Sequence, residues 1–322
     1  MSQEEIAASS GKIPVGVSSC LLGERVRYDG GHKGHSFITR TLGEYFDFQA
    51  FCPELAIGLG IPRKPIRLWR EDKQIRCVQV DDASKDYTQA LTDCADEQQH
   101  WQQKLCGYIL KKDSPSCGME RVKIWDETMP IREGVGIYAG RLMENFPYLP
   151  VEEEGRLGDA VLRENFIQRV FAMRRWHKLS DDGMTVGGLV DFHARHKLIL
   201  MSHDQMAYRR LGPLVAETNK DNLADNAQRY LVEFMSALKT RATRKSHVNV
   251  LQHIQGYLKN YLDREDKQEL VQTLDKYRKG QLPLIVPITL LNHFFRKHPD
   301  KYIERSYYMN PYPEELCLQN VI

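Results

Sequence analysis

Short apolar runs of strand length alternate with turns and polar, helix-compatible stretches through the first half of the chain. "IPVGVSS" ends at Cys20, "YFDFQAF" ends at Cys52, and "LCGYILKKDSPS" leads to Cys117. "QIRCVQV" is a further β-rich run. Between them, "DASKDYTQALTDCADEQQHWQQKL" sets Tyr87, Leu91, Cys94 and Ala95 at helical spacing. Strand, helix and strand in alternation predict an α/β domain with a largely parallel sheet.

The second half has the period of helices. "NAQRYLVEFMSALKTR" puts Tyr230, Leu231, Phe234, Met235 and Leu238 on one face. "VNVLQHIQGYLKNYLDRED" repeats the pattern through Val250, Leu251, Ile254, Tyr257, Leu258, Tyr261 and Leu262. Pro283 and Pro287 are expected to break the pattern before a last short helix. The stretch "PVEEEGRLGDAVLRENF", a proline and an acidic run ahead of a helix, marks the expected boundary. The expected domains are 1–155, α/β, and 156–322, a linker helix followed by an all-α domain.

Charge sharpens this division. The 322 residues carry a net +2, shared as −5 over residues 1–160 and +7 over 161–322. A basic half is a candidate for binding a polyanion, and a solvated helical surface is the plainer account. No window approaches the ~18 consecutive apolar residues of a membrane span. "MSQEEIAASSGK" lacks the basic-then-apolar order of a signal peptide, so the expected location is the cytoplasm. Seven cysteines at irregular spacing do not read as a secreted disulfide framework.

Cys20, Cys52 and Cys117 each follow a strand-like run, in the turn contexts "SSCLLG", "FCPE" and "SPSCG". Ligands of open α/β sheets bind outside the carboxyl ends of the strands, so these three thiols are placed to converge. No C-x₂₋₄-C pair of a structural zinc site occurs. Soft thiolates suit an iron–sulfur cluster, and three of them would leave one iron of a 4Fe–4S cluster open. Cys77, Cys94 and Cys106 read as core residues, and Cys317 lies in a tail.

"SSCLLGERVRYDGGHKG", "FCPELAIGLGIPR" and "KKDSPSCG" resemble the three signature blocks of the thiouracil desulfurase (TudS) family. "HKLILMSHDQMAYRRLG" and "LIVPITLLNHF" resemble the helical domain of the YbgA proteins. Together they resemble the fused TudS–YbgA-type (RudS-like) desulfidases. The resemblance implies a Rossmann-like domain carrying a 4Fe–4S cluster on Cys20, Cys52 and Cys117, with one open iron. It also implies catalytic roles for Glu54 and for Ser114 or Ser116, and transfer RNA containing 4-thiouridine as substrate.

The expected reaction is hydrolytic and non-redox: 4-thiouridine becomes uridine and hydrosulfide is released. Glu54 is the candidate for proton transfer, with a carboxylate merely paired to Arg63 as the plainer reading. Arg27, Tyr28, Asp29 and Lys33 on the glycine-rich loop, and Lys111 near Cys117, are candidates to orient a pyrimidine or contact phosphate. His32 as a fourth ligand is disfavoured, because it would close the open iron. Arg209, Arg210, Arg241, Arg244 and Lys245 are the candidate RNA contacts of the helical half. Tyr230, Tyr257 and Tyr261 read as core. Alternatives are a desulfurase of free thiouracil, thiouridine or its nucleotide, a non-catalytic cluster-bearing RNA-binding or sensor protein, and a structural zinc protein.

Overall fold

The computed structural model describes residues 11–126 and 129–316; Cys317 lies outside the described residues. Two units result, the first ending at Gly158 and the second beginning at Asp159.

The first unit holds two four-stranded sheets. β1 (Ile13–Ser18) is almost wholly buried, as a central parallel strand covered on both faces must be. It pairs in parallel with β2 (Phe46–Phe51), from Ile13 opposite Phe46 to Ser18 opposite Phe51. β3 (Ile66–Glu71) and β4 (Gln74–Gln79) form an antiparallel hairpin. Its turn residues Asp72 and Lys73 both take positive φ, which suits the right-handed twist of the flanking strands. β5 (Gly107–Leu110) joins the other side of β1 in parallel. β6 (Val122–Trp125) runs parallel to β3, and β7 (Ile131–Gly134) antiparallel to β6. β8 (Val151–Glu153) completes the parallel sheet beside β5. The orders are β2-β1-β5-β8 and β4-β3-β6-β7.

Two expectations change here, and one feature is new. "QIRCVQV" belongs to a second, mixed sheet rather than to one largely parallel sheet. The helix expected over 82–105 is confined to Thr88–Glu97 and Gln99–Gln102, because Asp82 and Asp86 fold their carboxylates onto the backbone of Ser84 and Thr88. The helix buries Leu91, Cys94 and Ala95, as its period predicts. The acidic run "EEE" ahead of the boundary is a buried strand and its continuation. Its carboxylates are all engaged. Glu152 accepts from Arg156 Nε, Glu153 from the Met119 N–H, and Glu154 from the Lys112 N–H.

The second unit is helical: Ala160–Asp181, Val186–His203, Gln205–Ala216, Leu223–Lys239, Arg244–Tyr257, Arg264–Arg278, Ile285–Lys297 and Lys301–Arg305. Asp159 caps the first, accepting from the N–H groups of Val161 and Leu162. The core is aromatic. Tyr230 stacks between Trp176 and Phe234, with Phe192 edge-on to all three rings.

Three further expectations change. The pattern over 248–266 is not one helix: the chain leaves the helix after Tyr257, and Asp263 caps a new one by accepting from the Asp266 N–H. Pro287 does not break a helix but sits in the first turn of Ile285–Lys297, where a missing N–H costs nothing. Tyr261 is 64% exposed and stacks on His298, so it is not a core residue.

Candidate active site

The cleft of the first unit lies where β1, β2 and β5 end, and these are neighbours in the parallel sheet. Cys20 sits in a 3₁₀ turn directly after β1. Cys52 precedes a single helical turn, Pro53–Ala56, whose first position is a proline, and that turn carries Glu54. Cys117 follows β5 in the turn 113–118. That turn is packed too closely for side chains at two glycines. A Cβ on Gly136 would lie 2.6 Å from the Ser116 backbone, and one on Gly118 would lie 2.8 Å from the Ser114 carbonyl. The three cysteines line one cleft of about 340 Å³, in the usual size range of small-molecule sites.

Burial pushes the Cys20 thiol up to about 11, opposed by the charges of Lys111 and Arg27. Burial also raises the Cys52 and Cys117 thiols. Cys52 is close enough to push both of the others further up, so the three sulfurs share one electrostatic neighbourhood. An activated cysteine nucleophile shows the opposite shift. Raised thiols of this kind ionise where a metal takes the proton's place.

Behind the thiols runs a chain of hydrogen bonds. Ser114 Oγ lies 3.0 Å from Ser116 Oγ, and Ser116 Oγ donates to Glu54 Oε1 at 2.6 Å. The other carboxylate oxygen accepts two bonds from Arg63, at 2.6 and 2.8 Å. Arg63 is itself fixed by donating to the carbonyls of Val26 and Gly60. Ser116 is fully buried, whereas Ser114 lines the cleft and also accepts from the Cys117 N–H at 3.1 Å. The two serines thus divide the work: Ser114 faces the ligand space and Ser116 connects it to Glu54.

Arg27, Tyr28 and Lys33 line the cleft, and the Lys33 N–H donates to the Cys20 carbonyl. Asp29 does not; it accepts from the Gly31 N–H at 3.0 Å and shapes the loop. His32 is exposed, and its Nδ1 accepts from the Gly34 N–H. Lys111 lines the cleft but is no phosphate partner, because its side chain is only 15% exposed and its ammonium is tied to Glu154 and to the Lys112 carbonyl. Lys112, half exposed, lines the same wall.

In the helical unit, Arg209, Arg241, Arg244 and Lys245 are exposed, and Arg210 is exposed but paired with Glu233. Arg175 is structural, stacked 3.8 Å over Tyr307. Sequence reasoning missed Glu153 and Glu154 as supports of the cysteine turn, and it met Arg63 only as a partner for Glu54.

Comparison with known proteins separates the same two regions. Residues 15–154 match the family model described as 2-thiouracil desulfurase, and 197–313 match a protein family of unknown function, DUF1722. The uncharacterized protein YbgA of Escherichia coli (strain K12) is 35% identical over 153 residues, which are 47% of this chain and 90% of that protein. The chain joins a 2-thiouracil desulfurase domain to a YbgA-type domain, and it belongs to the YbgA family. The uncharacterized protein YbbK of Bacillus subtilis (strain 168) is 33% identical over 108 residues, 32% of this chain and 71% of YbbK. A solved structure described as a 4Fe–4S-dependent thiouracil desulfidase, TudS, is 32% identical. It aligns with 47% of this chain and 95% of its own, at a TM-score of 0.37. The cleft with Cys20, Cys52 and Cys117 falls wholly within the desulfurase domain. Among the described residues, no helix is long and apolar enough to cross a membrane.

Proposed function

We propose that the desulfurase domain, on a Rossmann-like parallel sheet, converts 4-thiouridine in transfer RNA to uridine. The reaction is hydrolytic: the C4=S bond is replaced by C4=O from water, and sulfur leaves as hydrosulfide with a proton. Cys20, Cys52 and Cys117 are the residues that would hold a 4Fe–4S cluster. Their arrangement fits that group. The three thiols line one cleft, and Cys52 lies near enough to perturb both of the others. A polynuclear cluster takes its ligands on separate irons, so three thiols from three strand ends suit it. With three protein ligands, such a cluster supplies one thiophilic, Lewis-acidic iron to polarise the thiocarbonyl.

The observation that carries the reading is the Ser114–Ser116–Glu54 chain beside these thiols. Glu54 accepts the proton of the attacking water, and the serines give it a route from the cleft to the carboxylate. Arg63 holds the carboxylate in place at its other oxygen. Arg27, Tyr28 and Lys33 orient the pyrimidine at the cleft mouth. The YbgA-type domain holds the RNA through Arg209, Arg210, Arg241, Arg244 and Lys245 while the base is drawn from its stack. The site of action is the cytoplasm.

The test is anaerobic. Reconstituted protein is mixed with transfer RNA containing 4-thiouridine or with free 4-thiouridine monophosphate, and uridine formation is followed. Conversion of the RNA at the higher kcat/KM supports the reading. Conversion of the free nucleotide alone assigns the enzyme to thiopyrimidine salvage.

A further inference from the structure

The outer face of the second sheet carries a pattern that the cysteine cleft does not use. Leu68, Val122 and Ile124 point inward, packed with Cys77 and Leu91. Strand alternation therefore places Arg67, Trp69, Lys123 and Trp125 together on the opposite face. The register tightens the group. Trp69 lies opposite Trp125, and Arg132 of β7 lies opposite Lys123.

The chemistry is uneven. Arg67 lies 4.5 Å over the Trp69 ring, and Lys123 Nζ lies 5.9 Å from the centre of the Trp125 ring. Arg67 Nε is buried with no hydrogen-bond partner among the described residues. Lys123 and Arg132 are exposed like charges directly across two strands, an arrangement that opposes folding. Asp113 is bonded to Arg132 at 2.7 Å, yet Arg132 stays 47% exposed, and among the described residues Lys123 and Arg67 have no ion pair.

A groove of about 260 Å³ runs along Arg67, Lys123, Trp125 and Arg132. It shares Ile66, Asp113 and Pro115 with the cysteine cleft, so the two are adjacent. Asp113 and Pro115 flank Ser114 in sequence.

We propose that this face is the track for the RNA strand next to the modified base: Lys123, Arg132 and Arg67 meet phosphates, and Trp125 stacks a flanking base. Alternating cations and half-exposed indoles are the means by which proteins follow a single strand without reading its sequence. The inference rests on the proposed RNA substrate, and it places one RNA contact on the desulfurase domain itself.

Binding of a fluorescently labelled single-stranded ten-nucleotide oligouridylate, free of sulfur, tests the face independently of the chemistry. Lys123→Ala and Arg132→Ala each weaken binding about ten-fold, and each lowers the salt slope by ~0.7. Trp125→Ala weakens it by a similar factor at unchanged slope, and Trp125→Phe restores most of the loss. A second arm compares a 4-thiouridine-containing decamer with 4-thiouridine monophosphate. The variants lose about ten-fold more kcat/KM on the decamer. Wild-type affinity in the Lys123 and Arg132 variants overturns the inference, as does an equal loss on both substrates. Loss of a self-associated species with RNA affinity unchanged also overturns it. If wild-type protein converts neither substrate, the proposed reaction fails, while the binding arm still decides this face.

Discussion

In the desulfurase domain the perturbed buried groups around the cleft are thiols, whereas in the YbgA-type domain they are imidazoles and phenols. Cys20, Cys52 and Cys117 are raised by burial, yet they line an open cleft and keep polar neighbours on one side. His193, held low at about 4 by burial and Lys197, contacts the Tyr230 hydroxyl. His247, held at about 3 by burial and His203, contacts the Tyr308 hydroxyl. His196, pushed far down by burial and then Arg175, bonds the Phe192 carbonyl and stacks on the Phe192 ring. Burial alone therefore does not mark a site. The difference at His196 and His247 is access: the three thiols line a cleft, whereas these two imidazoles face packed aromatic rings, and His193 alone of the three borders a groove.

The largest expected effect separates the two halves of this comparison. Cys117→Ala removes bound iron and acid-labile sulfide and lowers turnover more than a thousand-fold, while far-ultraviolet circular dichroism keeps its helical signal. Glu54→Gln comes next. It lowers kcat by about 10²–10⁴ and leaves the iron content and visible absorption of the reconstituted protein in place. A loss of iron with activity would instead make Glu54 a structural residue.

Acid sharpens the contrast from the other side. The depressed imidazoles contribute stability that is complete above the unfolded value of 6.5 and lost as pH falls toward about 4 for His193 and about 3 for His247. Glu164, raised to about 7 by burial, acts in the opposite sense: its contribution is complete below 4.5 and fades as pH rises through 7. Three neutral imidazoles outweigh one carboxyl. Hydrogen exchange read by peptide is expected to rise in residues 186–257 between pH 6.5 and 4, ahead of the strands β1 and β5. The smallest effect is Tyr230→Phe, which removes the hydroxyl facing His193 and costs about 1 kcal/mol in chemical denaturation.

The convergence at the strand ends was legible because it depends on short-range signals: β-rich runs that stop at Cys20, Cys52 and Cys117. The helical faces around Tyr230 and Phe234 were legible for the same reason. What escaped depends on pairing across the sheet. "VEEE" gives no sign of burial until Met119 and Lys112 supply backbone partners from distant positions. Trp69 and Trp125 look unrelated 56 positions apart until β3 and β6 lie side by side. The Asp263 cap is local, and the continuing apolar period of Leu258 and Leu262 hid it.

The most direct test of the account is the source of the new carbonyl oxygen. Reconstituted protein is given 4-thiouridine transfer RNA in ¹⁸O-labelled water, and the released uridine is weighed by mass spectrometry beside a count of hydrosulfide. One labelled oxygen at C4 for each hydrosulfide, lost in Glu54→Gln, is the predicted result. Unlabelled uridine, or sulfur lost without hydrosulfide, would contradict hydrolysis at this site.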